Sequence, residues 1–252
     1  MTQETIRIPA AGAVFWAEAM PDGSAGVRAI AGAPPNIKVT LTAPLPAGIT
    51  SATSSRGLAL QTSPVLYQGV PTEAILATPP VLPAIVVAGI AQPLDGRFHP
   101  RQFSVTPKPQ APTYVPLRPS LQATSVGEAG AVVMNLQWQG AGAASWSVVN
   151  LACTRNGVPL GFTGQADVKG DVIVPLTGLP PLPSAQTSDS MTLTVLGDPT
   201  QSGLAVGNPD ALKPVQISVG SGFSAQQTLA IVRGQFNTAA TLKYPGFTLQ
   251  PS

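Results

Sequence analysis

Proline sets the limits on what this chain can fold into. Twenty-eight of its 252 residues are proline, and each one restrains φ and removes a backbone donor. The density peaks at PKPQAPTYVPLRP, where Pro107, Pro109, Pro112, Pro116 and Pro119 fall close together. Neither a helix interior nor a central strand is expected to run through such a stretch. Each proline also pushes the residue before it toward extended geometry. The segment therefore reads as a stiff, polyproline-like strut. The chain on either side has the size of one small domain. The expected organisation is an N-terminal domain over residues 1–106, a proline-rich linker over 107–119, and a C-terminal domain over 120–252 with a possible C-terminal extension.

Composition points to the class of those domains. Proline and the 25 glycines together exceed a fifth of the chain, yet 44% of residues are hydrophobic and only 10% are charged. Disordered chains show the opposite balance. A folded, loop-rich, all-β protein follows, with Pro and Gly punctuating short strands. The net charge is +2 and no Lys/Arg run occurs, so neither nucleic acid nor an anionic membrane is implied as a partner. A surface so poor in charge is weakly protected against association, which suits a chain that covers itself with other subunits.

Several strands are legible. Ile37, Val39 and Leu41 alternate with Lys38, Thr40 and Thr42, the pattern of a half-buried antiparallel strand. Val132, Met134, Leu136 and Trp138 repeat it in the second half. Ala84–Ala91 is the most apolar strand candidate, and Thr72–Ala77 a weaker one. Asn156-Gly157 predicts a type I′ hairpin turn. The segment Gly89-Ile-Ala-Gln-Pro-Leu-Asp-Gly-Arg-Phe98 has a counterpart in Gly164-Gln-Ala-Asp-Val-Lys-Gly-Asp-Val172. Each reads as strand, glycine turn, strand, then proline. This resembles the strand–turn–strand signature of carboxypeptidase-regulatory-like and transthyretin-like β-sandwiches. The resemblance implies two tandem β-sandwich domains, immunoglobulin-like or transthyretin-like, and a fold rather than an activity.

The search for chemistry returns mostly absences. His99 is the single histidine and Cys153 the single cysteine, too few for a zinc site built on N and S ligands. A nucleophile–His–carboxylate relay would have to use His99, and no G-x-S-x-G elbow is present. His99 reads as an edge-strand or surface residue, and Cys153 as a small buried hydrophobe. The aspartates mostly adjoin Gly or Pro, where side chains bond their own turns. Asp167-Val-Lys-Gly-Asp171 only faintly suggests a calcium loop, with Lys169 against it. No Walker-type loop or dinucleotide fingerprint occurs. Trp16, Trp138 and Trp146 read as core packing. No catalytic, cofactor-binding or metal residue is assigned.

The N-terminus lacks the basic region and long apolar core of a signal peptide, with Glu4 offsetting Arg7 and Glu18 ending the apolar run. Val81–Ile90 is too short to span a bilayer. The expectation is a chain made in the cytoplasm, whose final location is a virion or extracellular particle. The expected function is a non-enzymatic structural or adaptor component of a large assembly. A bacteriophage virion or phage-tail-like particle fits, with a tail, baseplate, fibre-attachment or decoration role. The expected partners are other protein subunits. A carbohydrate- or receptor-binding adhesin is the alternative, and a carboxylate-dependent hydrolase the third reading. Near the C-terminus, Tyr244, Phe247 and Leu249 form an aromatic-rich segment that either anchors in a partner groove or folds back as a last strand.

Overall fold

A computed structural model describes residues 5–108, 111–140, 142–182, 186–220 and 222–252. Glu4, Pro109 and Pro183 lie outside the described residues. The fold is all-β, with one short α-helix among the described residues. The first half holds β1 (Thr5–Ile8), β2 (Ala11–Ala19), β3 (Val27–Arg28), β4 (Ile37–Leu41), β5 (Ile49–Ser54), β6 (Gly57–Thr62) and β7 (Val65–Gln68). Helix α1 (Thr72–Ala77), β8 (Val87–Pro93), β9 (Arg101–Val105) and β10 (Thr113–Leu117) follow. β10, β2, β6 and β5 form one sheet in that order, with β3 paired to β2; β4, β8 and β9 form another. Val14, Trp16, Leu58 and Leu60 from the first sheet share a single apolar cluster with Ile37, Val87, Ala91 and Phe103 from the second.

The proline-rich segment is not a free strut. Thr113–Leu117 pairs in parallel with β2, Val115 opposite Trp16 and Pro116 opposite Ala17. Val115 and Leu117 are buried in the first cluster. The physical reason is position. β10 is the edge of its sheet, and an edge strand tolerates a residue that cannot donate on its open side. The spacing of Pro112, Pro116 and Pro119 leaves Val115 and Leu117 to turn inward together, as alternation requires.

Thr72–Ala77 is a helix rather than a weak strand. Pro71 stands at its N-cap, and Glu73, Ala74, Leu76 and Ala77 are good helix formers. Only Ile75 of this helix is buried. The strand expected at Ala84–Ala91 begins later, at Val87.

The second half contains β11 (Gly130–Trp138), β12 (Val148–Arg155), β13 (Val158–Gln165), β14 (Asp171–Pro175), β15 (Asp189–Gly197), β16 (Lys213–Ser218), β17 (Gln227–Ile231), β18 (Gln235–Asn237) and β19 (Phe247–Pro251). They make one nine-stranded sheet along the path β13-β12-β15-β16-β19-β11-β14, with β17 on β15 and β18 on β11. The sheet curls until its terminal strands lie side by side: a Cβ on Gly164 of β13 would sit 2.5 Å from the Ile173 carbonyl oxygen of β14. The interior is a second apolar cluster, including Met134, Leu136, Leu151, Leu193, Ile217 and Leu229. The β12–β13 hairpin has the expected two-residue turn, with Asn156 at φ 51° and Gly157 at φ 77°. Positive φ at both positions is the type I′ geometry that follows the right-handed twist of the strands.

The two look-alike segments differ in pairing. β8 and β9 are ladder partners, whereas β13 pairs with β12 and β14 with β11. Turn chemistry is shared; sheet topology is not.

Placement of β10 makes a fragment test decisive. A fragment of residues 1–106 leaves β2 without its parallel neighbour and opens the core at Val115 and Leu117. It should show no cooperative urea transition by circular dichroism, whereas residues 1–119 should. In the full chain, Leu117→Ala should cost about 2–5 kcal/mol.

Candidate interaction site between the two halves

The halves meet along a polar seam built by β9, by the chain just before it, and by the loop Leu204–Asp210. Arg101, only 5% exposed, lies at its centre. Its guanidinium donates to the Gln102 carbonyl at 3.0 Å and to the Pro116 carbonyl at 2.7 Å, and forms an ion pair with Asp210. Burial lowers the Arg101 pKa, and Asp210 opposes that shift. Beside it the Gln102 N–H donates to the Gly207 carbonyl at 2.8 Å.

His99 is buried here, not on an exposed edge. Its ring meets Trp146 edge-on at 5.8 Å between centroids, and its Nε2 has no hydrogen-bond partner among the described residues. Burial is the main cause that lowers its pKa to about 4; Asp167 opposes and Arg118 adds to the shift. Trp146 has φ 64°, a strained conformation for a bulky residue. It is held there by a bond from its Nε1 to the Leu204 carbonyl at 2.8 Å. Gly207 also packs against its indole, so closely that a Cβ would lie 2.5 Å from Cγ.

On the other side of the seam, the turn at Asp22 lies against the β12–β13 hairpin. A Cβ on Gly161 would sit 2.4 Å from the Asp22 carbonyl oxygen. Between these two contacts lies a cleft of about 310 Å³. Its walls include Glu18–Pro21 and Arg28 of the first half, Thr163–Gln165, Ile173 and Pro175 of the second, and the connection from Arg118 to Gly127. Glu18 is paired with Arg28. Arg118 donates to the Thr163 hydroxyl at 3.3 Å and forms no ion pair among the described residues. Burial, and then the charge of Arg101, lowers its pKa.

A second concavity, of about 540 Å³, lies on the first half between Phe15, Tyr114, Pro34, Pro35, Arg28 and Arg56. Phe15 and Tyr114 are exposed, with ring centroids 6.0 Å apart. The three tryptophans are all buried.

The residues singled out by sequence occupy other places. Phe247 and Leu249 sit in the second core, on β19 between β16 and β11. Tyr244 stacks edge-on over Phe247, and its hydroxyl donates to the Thr228 carbonyl at 3.3 Å. This segment is therefore a last strand with its cover, and its apolar side chains are committed to the chain's own interior. Cys153 is half-buried, and burial raises its thiol pKa despite Arg155. The Arg155 guanidinium is turned to Asp189, a buried ion pair, and to the Pro181 carbonyl. Turn aspartates behave as turn residues: Asp22, Asp95, Asp167 and Asp198 each accept from a backbone N–H two residues on. Among the described residues, no group of three or more His, Cys, Asp or Glu is placed to hold a metal ion. Among the described residues, no helix is long and apolar enough to cross a membrane.

Sequence reasoning missed Arg101 and Arg118. The available signal was their rarity: lone arginines flanking aromatic or proline residues in a chain with 13 basic side chains. Their partners lie across the fold, so spacing did not reveal them. Comparison with protein-family models, curated proteins and solved structures finds no match to this chain.

The buried imidazole makes the fold acid-sensitive. Well above pH 6.5 His99 is neutral whether the chain is folded or not, so there it contributes no pH dependence. As pH falls from 6.5 toward about 4, the unfolded chain takes up a proton that the folded chain refuses. Stability should drop across that window, by about 3 kcal/mol from this group. Denaturant titrations at pH 7 and pH 4 should show a larger loss for the parent than for His99→Gln.

Proposed function

We propose that this protein is a non-enzymatic structural adaptor of a large assembly, with a bacteriophage virion or phage-tail-like particle as the setting. The observation that carries this reading is the β1–β7 ribbon and the helix after it. β1 and β7 prolong the β2–β6 ladder: Ala11 pairs with Gln61, and past a one-residue register shift Ile8 pairs with Val65. Beyond that shift the two strands have no third strand among the described residues. A two-stranded ribbon standing alone in water is only marginally stable, and its open edges are ready to pair with another chain. The ribbon and the chain following it also carry Val65, Leu66, Val70, Leu76, Val81 and Val86, six of the thirteen exposed large hydrophobic side chains among the described residues. Leu76 is 70% exposed and Val86 66%. Such a concentration of apolar surface is expected at a site covered by another protein.

In this role the chain acts as two tandem sandwich-type modules, immunoglobulin-like or transthyretin-like. Two separate apolar clusters, one over residues 10–117 and one over 129–249, support it. The seam at Arg101 and His99 sets a fixed angle between the modules. Partners are other protein subunits, and the particle is the final location.

The adhesin reading has one observation in its favour, the exposed Phe15–Tyr114 pair in the larger concavity, since aromatic faces suit flat apolar surfaces of sugars.

Charge placed on the ribbon separates these readings. The double variant Leu66→Lys, Leu76→Lys should unfold within about 0.5 kcal/mol of the parent, as exposed positions do. It should lose incorporation into particles from the native source. Unimpaired incorporation would remove the ribbon as the docking element. Loss of glycan binding in Tyr114→Ala, with assembly intact, would favour the adhesin.

A further inference from the structure

We infer that the cleft between the two halves is a binding site for a small monocarboxylate with an apolar body, anchored by Arg118. The argument starts from the charges around it. Glu18 and Arg28 neutralise one another in one wall, and Arg101 is matched by Asp210 behind the seam. Arg118 lines the cleft without a carboxylate partner among the described residues, so one positive charge is left over.

A guanidinium removed from bulk water needs acceptors for its five N–H groups. Among the described residues Arg118 has one side-chain acceptor, the Thr163 hydroxyl at 3.3 Å. That hydroxyl donates its own proton to the Val149 carbonyl at 3.0 Å. Its lone pairs therefore face the arginine and fix the fork in place. The nitrogens of Arg118 that lack a partner are not sealed in the protein; the cleft is the space the residue lines. A carboxylate presents two oxygens at the spacing of that fork.

The rest of the lining selects the remainder of the ligand. Met20, Ala123, Ile173 and Pro175 supply apolar wall, and Thr124 and Ser125 add hydroxyl groups. The volume, about 310 Å³, is at the small end of the range for small-molecule sites. Only one positive charge is left over in the lining, so a second negative charge would be taken out of water without a partner, and a monoanion fits better than a phosphate ester or dicarboxylate. The site draws on both halves, and occupancy would add an attractive contact across the seam. This inference does not rest on the assembly reading.

The test uses the full-length ¹⁵N-labelled protein, titrated with benzoate and hexanoate and, separately, with benzamide and hexanamide. Backbone amides of Thr163, Gln165 and Ser125 report the cleft. The carboxylates should shift these signals and bind about tenfold or more tightly than their amides, the scale of a charge-assisted pair. Glutarate should bind no better than hexanoate. Arg118→Gln should abolish the preference for carboxylate over amide, and Arg118→Lys, which keeps charge but loses the fork, should weaken it. Equal binding of acids and amides, no shift at these amides with either acid, or an undiminished carboxylate preference in Arg118→Gln would each overturn the inference. The acid–amide comparison on the parent stands even if a variant fails to fold.

Discussion

The structure depends on one buried guanidinium. Arg101 holds the Pro116 carbonyl of β10 with one arm and Asp210 of the second half with the other. Removing a full charge from water is costly unless every donor finds an acceptor. That cost makes the arrangement specific: β9, β10 and the 204–210 loop satisfy Arg101 only in one relative placement. Gln102 and Gly207 join through the backbone beside it, and His99 rests against Trp146 on the same seam. A proline-rich connection followed by a second core would otherwise be free to swing.

Proline takes a different part from the one its density suggests. In β10 the ring at Pro116 removes a donor from an edge strand, where it also discourages pairing with foreign strands. The opposite edge of that sheet, β5, has no such protection. Ile49–Ser54 carries no charge, and five of its six residues are exposed. One margin of the sheet is closed by a proline strand while the β5 margin and the β1–β7 ribbon stay open. This asymmetry gives the first half a sidedness, which agrees with docking in a defined orientation.

The cleft and the ribbon divide the molecule's unmet needs into two kinds. At the ribbon the unmet need is apolar area and strand edge, of the kind another polypeptide can cover. At Arg118 it is a charge, which a small anion satisfies. The two lie on different elements and rest on different physics, so either is open to alteration without the other. The strained Trp146 backbone, held by Leu204 and Gly207, belongs to the seam that positions the cleft.

How much was legible in the sequence follows from the range of each interaction. The all-β class, the Asn156-Gly157 hairpin and the turn aspartates were readable because their causes lie within a few residues: alternation, positive φ, and side chains that bond their own turn. The alternating strand at Val132–Trp138 was readable for the same reason. Tertiary structure decided the rest. Whether Pro112–Pro119 hangs free or joins a sheet turns on β2, a hundred residues earlier in the chain, offering an open edge to Val115 and Leu117. Whether Phe247 and Leu249 face a partner or the interior turns on the gap between β16 and β11. His99 read as a surface residue because nothing local buries it; Trp146 does. Arg101 and Arg118 showed no motif, since a guanidinium's partners are chosen by position in space, and only the packing of the two halves brings Asp210 and Thr163 to them.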